Sequence, residues 1–162
     1  MAALPFAPLA YDWLHLLHQA FFGAIAAAGF GVLFNFGIRA LAWCAAAGAL
    51  ALGVRTFGLD LHWSLEAASF MAAVAASCCA NVLRRPLGPR GSAVALAGCI
   101  PMVPGAFLGQ AILGMLAVTT PHPENAAVIL TAIEYLLRVF FTLAAIGAGL
   151  AIPAHLLKHR DF

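Results

Sequence analysis

Residues 100–105, with the sequence Ile-Pro-Met-Val-Pro-Gly, interrupt an apolar run that extends from residue 92 to residue 119. Pro101 and Pro104 each remove a backbone N–H donor and clash with the preceding turn, so a regular helix cannot pass through them. Gly105 gives the backbone further freedom. Inside a bilayer such a break is stable only where protein or a polar cavity covers it, and discontinuous helices are typical of transport sites near the membrane midplane. A proline kink that binds nothing is the alternative interpretation.

The composition around this motif indicates a membrane protein. The chain has 162 residues, of which 64% are hydrophobic and 9% are charged, and its mean hydropathy is +0.99. Soluble domains carry about 25% charged residues. We therefore predict an all-α, polytopic helix bundle that forms a single transmembrane domain over residues 1–162. The first apolar run has no Lys or Arg before it, so we expect it to be retained rather than cleaved as a signal peptide.

Five apolar runs are long enough to cross the hydrocarbon core, which takes about 20 helical residues. Turn-rich stretches separate them, and Gly58, Leu59 and Asp60 are expected to end the second run. The four cysteines lie inside these runs without metal-ligand spacing, so we interpret them as packing residues. The predicted membrane spans are residues 13–36, 38–57, 61–83, 92–119 and 126–157, with the fourth span broken at the proline motif.

The basic residues are unevenly divided between the two sides of this five-span arrangement. Six of them share one side, whereas only Arg55 falls on the other. Basic loops face the cytoplasm, so we predict an external N-terminus and a cytoplasmic C-terminus in a bacterial inner membrane. If the fourth segment were re-entrant, the basic residues would be divided four against three between the two sides. The six residues on the predicted inner side are Arg39, Arg84, Arg85, Arg90, Lys158 and Arg160.

The fifth span carries a polar stripe at helical spacing. Glu134 and Arg138 are four residues apart and can pair, and Arg138 lies roughly 18 Å along the helix, near the middle of the bilayer. Ionisable residues at that depth normally face a bundle interior or a wet cavity. The pair could be a structural lock, or Arg138 could bind a substrate carboxylate while Glu134 titrates. The full stripe is Thr131, Glu134, Tyr135, Arg138 and Thr142.

Other polar and small residues are interpreted mainly as packing positions. One face of the third segment suits close helix packing and interhelical hydrogen bonds, and it carries Glu66, Ser69, Ala73, Ser77 and Asn81. Gly105 and Gly109 have the spacing that permits close backbone approach. The sequence contains no catalytic triad, phosphate loop, zinc-protease motif or nucleic-acid signature, so we predict no enzyme activity, cofactor or metal.

Two stretches of the chain resemble a known family. The run at residues 29–35, Gly-Phe-Gly-Val-Leu-Phe-Asn, is followed by Arg-Ala-Leu at residues 39–41 and Trp-Cys at residues 43–44. Together with the proline motif, this looks like the small membrane half of the threonine/serine exporter (ThrE) family, over about residues 15–157. The resemblance implies export of small hydrophilic metabolites, namely threonine and serine or, in two-subunit members, succinate. It also implies a larger partner subunit with its own membrane half and a cytoplasmic soluble domain.

We therefore predict a subunit of a multi-pass, hetero-oligomeric exporter of amino acids or a dicarboxylate, coupled to an ion gradient. The alternative is a structural membrane subunit or an anchor of a larger membrane enzyme complex. The residues predicted to line the substrate pathway are Asn35, Pro101, Met102, Pro104, Gly105, Gln110, Glu134 and Arg138.

Overall fold

The computed structural model describes residues 13–82, 91–116, 119 and 125–158, and every regular element in these ranges is helical. The prediction of an all-α chain is confirmed for them. A 3-10 turn at Ile100–Met102 joins the fourth helix to the fifth. The sequence predicts loops at residues 87–91 and 120–125, and these lie outside the described residues except for their last positions. Gly91 and Asn125 each begin a helix instead. The helices are α1 (Trp13–Leu33), α2 (Ile38–Asp60), α3 (Leu65–Val82), α4 (Gly91–Cys99), α5 (Gly105–Leu116) and α6 (Asn125–Lys158).

Three of the described helices are long and apolar enough to cross a membrane: α1, α2 and the part of α6 at Ala126–Leu156. The bent pair formed by α4 and α5 makes a fourth candidate if it counts as one span. The apolar part of α3, Leu65–Asn81, is shorter than a usual span. The chain is thus a multi-pass membrane protein with three to four candidate spans by length, and the count of five stays a prediction.

The prediction that Gly58 ends the second helix is wrong, because α2 continues to Asp60. Gly58 instead allows close packing: a Cβ atom at this position would lie 2.9 Å from the Trp63 ring and 3.2 Å from the Cβ of Ala68. The turn comes later, where His62 adopts a positive φ of 61°. The third helix therefore begins at Leu65 rather than at residue 61.

A short turn connects α1 to α2 and makes them antiparallel neighbours. Asn35 lies in the turn just after α1 and has a φ of 55°, a left-handed conformation that asparagine tolerates better than most residues. The N–H of Phe36 bonds to the carbonyl of Gly31, which satisfies one of the last helical acceptors. Small residues then bring the helices together, because a Cβ atom on Gly48 would overlap both Ala27 and the backbone of Gly23. Close backbone approach of this kind is a common way for membrane helices to pack.

Small side chains build the interior, and large apolar side chains face outward. Met102 is the largest fully buried side chain, and it packs with Ile146, Cys99 and a group of alanines from α2 and α3. All four cysteines are free; Cys44 and Cys99 are buried as packing residues, whereas Cys79 is exposed. Many leucine, isoleucine and phenylalanine side chains of α1, α2, α5 and α6 are exposed. Such a surface suits a lipid bilayer, because the hydrocarbon core is as apolar as these side chains.

Contacts between the helices set their relative directions. Gly149 of α6 lies against Ala73 of α3, and further along both helices the Ser77 hydroxyl donates to the Leu150 carbonyl at 2.9 Å. These contacts, together with the residues of both helices that line a shared cavity, indicate that α3 and α6 run parallel. Of the predicted packing face, Ser69, Ala73 and Ser77 are buried, whereas Glu66 and Asn81 are partly exposed. Ser77 makes the expected interhelical hydrogen bond, and the Ser69 hydroxyl has no partner among the described residues. A Cβ atom on Gly114 of α5 would lie 2.6 Å from Ala132, so α5 packs on the first half of α6.

Candidate functional site at the broken helix

The proline motif separates α4 from α5 by a local change of backbone conformation. Pro104 disfavours a helical conformation at the residue before it, and Val103 is accordingly extended, with φ −58° and ψ 126°. The N–H of Val103 bonds back to Ile100 at 3.0 Å, and the N–H of Gly105 bonds to Val103 at 2.8 Å. The helical axis turns by 53° between the two pieces. The Met102 carbonyl is left available to a partner from another helix.

Arg55 of α2 supplies that partner. Its Nη1 atom donates a hydrogen bond of 2.8 Å to the carbonyl oxygen of Met102, across 47 positions of sequence. The Nε atom of the same side chain is buried and has no hydrogen-bond partner among the residues the structure describes. A charged side chain from one membrane helix thus holds the freed backbone of another, which is one of the ways in which such breaks are covered.

Sequence reasoning missed this role of Arg55. It treated the residue as an outer loop charge, although Arg55 lies within the predicted span at residues 38–57. In the structure Arg55 is half-buried inside α2 and belongs to the helix rather than to a loop. The available signal was the presence of an ionisable residue within an apolar span, which by itself indicates a functional or paired position.

Glu134 and Arg138 form the predicted pair, with 3.6 Å between Oε1 and Nη2. Their side chains are 63% and 47% exposed in the chain by itself. The Arg138 guanidinium lies 5.8 Å from the centre of the Phe107 ring, and that ring lies 5.4 Å from the Tyr135 ring. The polar stripe of α6 therefore contacts α5 just beyond the break and is open on its other side. At Thr142 the stripe enters the interior, where the hydroxyl is buried without a described partner.

The remaining predicted site residues divide into those near the break and one that is distant. Pro104 is buried beside Met102, whereas Gly105 and Gln110 are exposed. A Cβ atom on Gly105 or Gly109 would have no neighbour within 4 Å, so this small face of α5 contacts no other described helix. Asn35 lies at the opposite end of α2 from Arg55, a separation of roughly 25 Å along the helix axis. The structure does not bring Asn35 to the break.

A cavity of about 280 Å³ lies between α3, α4 and α6, where α3 ends and α4 begins. Its polar residues are Ser77, Asn81 and Ser92. The Asn81 side-chain amide donates to the Ser77 carbonyl at 2.9 Å, which leaves the Asn81 side-chain oxygen free to accept. The cavity is slightly smaller than typical small-molecule sites of about 300–1,000 Å³. It offers hydrogen-bonding groups for a small polar solute but no charge.

The site as a whole offers a guanidinium, backbone carbonyls and hydroxyl groups. Among the described residues, no three His, Cys, Asp or Glu side chains come together in a way that could hold a metal ion. These groups can bind and release a polar anion or zwitterion by hydrogen bonds and charge, without covalent chemistry.

Comparison with known proteins adds independent information. The family described as threonine/serine exporter, ThrE, matches residues 19–156 of the chain. An uncharacterized protein of Haemophilus influenzae is 32% identical over 152 residues, which cover 91% of this chain and 49% of that protein. The chain therefore spans about half the length of this curated relative. No solved structure matches the chain.

Proposed function

Because the chain belongs to the threonine/serine exporter family, we propose that it forms one membrane half of an exporter of threonine, serine or a related metabolite such as succinate. The observation that carries this proposal is the break between α4 and α5, with the Met102 carbonyl held by Arg55. A transporter needs polar groups inside the membrane that a solute can contact and leave. A discontinuous helix provides them without exposing unsatisfied backbone to lipid.

The proposed topology has five crossings, with the N-terminus outside and the C-terminus in the cytoplasm of a bacterial inner membrane. The parallel arrangement of α3 and α6 supports it, since two helices separated by one full crossing run in the same direction. The bend of 53° between α4 and α5 also supports it, because a re-entrant segment has to reverse direction. In this topology the cavity lined by Ser77, Asn81 and Ser92 opens toward the cytoplasm, from which an exporter takes its solute.

The proposed partner is a larger membrane subunit that carries a cytoplasmic soluble domain. Support comes from the exposed pair Glu134 and Arg138 and from the unpacked face at Gly105 and Gly109. Charged groups at mid-membrane depth are unfavourable against lipid and are normally covered by protein or line a wet cavity. A second membrane half of inverted orientation would cover this surface and place the solute pathway between the two halves.

Export from cells tests this proposal. Cells that lack their own threonine, serine and succinate exporters would express the chain with its partner subunit, the chain alone or the partner alone. We expect export of a preloaded labelled solute only from cells with both, and reduced export when a protonophore removes the proton gradient. Normal rates in the presence of the protonophore would rule out coupling to protons. If cells with both subunits export none of the three solutes, the proposed function is wrong.

A further inference from the structure

Arg55 brings a positive charge into the interior, and none of the carboxylates that the structure describes neutralises it. Its Nη1 atom bonds to the Met102 carbonyl, and its Nε atom is buried without a hydrogen bond. Among the residues that the structure describes, neither Asp60 nor Glu66 forms an ion pair with it. The carbonyl satisfies one of the five guanidinium donors and leaves the charge uncompensated.

An uncompensated guanidinium is costly in a membrane interior. Intramembrane arginines normally pair with a carboxylate or a backbone carbonyl, or face a water-filled cavity, and of these partners only the carboxylate cancels the charge. Arg138 already has such a partner in Glu134, so its charge is balanced within the chain. Of these two arginines of the spanning helices, Arg55 is therefore the one to which the described residues offer no anion.

We propose that Arg55 binds the carboxylate of the exported amino acid at the broken helix. This proposal rests on the proposed function, which supplies the carboxylate solute. While Nη1 stays on the Met102 carbonyl, the edge formed by Nε and Nη2 can hold both carboxylate oxygens side by side, as arginine commonly does. Nε is covered by protein in this conformation. The solute therefore reaches Nε when a neighbouring helix moves and uncovers it while the bond to Met102 is kept, a motion of the kind that alternating access requires.

The test measures export kinetics for Arg55→Gln and Arg55→Lys in the complete exporter, with each rate divided by the amount of protein in the membrane. Arg39→Gln is the matched control, because Arg39 is an exposed arginine at the start of the same helix. The probes are labelled threonine and, as a competitor, threoninamide, which keeps the amine and the side chain but lacks the carboxylate. In the unaltered protein, threoninamide should compete at least about tenfold more weakly than threonine, as expected for loss of a charge-assisted hydrogen bond.

Arg55→Gln should raise the KM for threonine at least about tenfold, with a smaller change in kcat, and should abolish the preference over threoninamide. For Arg55→Lys, the KM and the preference over threoninamide should lie between those of the unaltered protein and Arg55→Gln. Arg39→Gln should leave the KM and the preference unchanged. If Arg55 only caps the Met102 carbonyl, Arg55→Gln should instead lower kcat and the protein level, and the preference for the carboxylate should stay unchanged. Arg55→Gln with normal KM and preference would overturn the proposal.

Three further outcomes are decisive. If Arg55→Gln does not accumulate in the membrane, Arg55→Lys decides, because an unchanged KM in that variant overturns the proposal. If the unaltered exporter accepts threoninamide as well as threonine, or moves succinate but no amino acid, the role of Arg55 is refuted and the proposed function stands. If it moves none of threonine, serine and succinate, both fail together.

Discussion

The guanidinium of Arg55 and the carbonyl oxygen of Met102 are joined by a hydrogen bond of 2.8 Å, although 47 residues separate them in sequence. The bond links a residue near the C-terminal end of α2 to the point at which another helix is interrupted. It accounts for how a break with two prolines can be buried in an apolar bundle, since the freed carbonyl has a strong donor. It also gives the interior a positive charge that no described carboxylate balances.

The topology predicts opposite reporter signals at two places. A reporter fused after Phe162 should be active in the cytoplasm, and one inserted near His122 should be active outside, because the six-to-one division of basic residues orients the helices. Paired enzyme reporters, one active only in each compartment, measure this directly. A cytoplasmic signal at both places contradicts five crossings.

The double substitution Pro101→Ala and Pro104→Ala should let one helix run from α4 into α5. The Met102 carbonyl would then return to the helical ladder and the bond from Arg55 would be lost. We expect export to fall about tenfold or more, while the protein still reaches the membrane at a normal level. Pro153→Ala, which removes a proline from inside α6 away from the break, is the control and should keep most of the activity. Normal export by the double variant would mean that the break is only a kink.

Substitutions of Glu134 and Arg138 separate a structural pair from a transport pair. Arg138→Ala should damage export more than Arg138→Lys, because it leaves Glu134 without its cation in a low-dielectric environment. The double change to Gln at both positions keeps two groups that can hydrogen-bond. Export that survives this double change indicates a structural pair, and normal protein levels without export indicate that the charges act in transport. Quantitative membrane blots and export rates are measured on the same cells.

Two glycines of α1 offer a matched test of helix packing. Gly23→Val should lower the stability of the detergent-extracted protein by about 1–3 kcal/mol, because the new side chain meets Gly48 oxygen at 2.7 Å and Leu52 Cβ at 2.9 Å. Gly29→Val, six residues along the same helix, has nothing within 4 Å and should be nearly neutral. Thermal unfolding followed by intrinsic fluorescence compares them. Equal stability of the two variants would contradict the described contact between α1 and α2.

Local signals in the sequence were sufficient for part of this fold. The prolines act on their own turns, so the interruption at residues 100–104 could be predicted without knowledge of the neighbours. The spacing of Glu134 and Arg138 likewise predicts their pairing, because residues four apart meet on any α-helix. Helix propensity and apolar length similarly indicated an all-helical chain.

Non-local relationships could not be predicted in the same way. The partner of Met102 depends on which helix crosses the break, and sequence alone does not select Arg55. The exposure of Glu134 and Arg138 depends on what covers α5 and α6, which a single helix pattern does not contain. Gly58 was expected to stop α2 by its flexibility, whereas close packing against Trp63 keeps it within the helix.

Accessibility at Val103 tests most directly whether the broken helix lines a solute pathway. Val103 is 41% exposed at the break itself, and Leu130 on the outer face of α6 is 70% exposed to the expected lipid. In a background with the four native cysteines replaced, Val103→Cys and Leu130→Cys would be treated with a water-soluble, membrane-impermeant thiol reagent in the complete exporter. The account predicts labelling at Val103→Cys that threonine slows, and no labelling at Leu130→Cys. Absence of labelling at Val103→Cys, or labelling that threonine does not change, would contradict it.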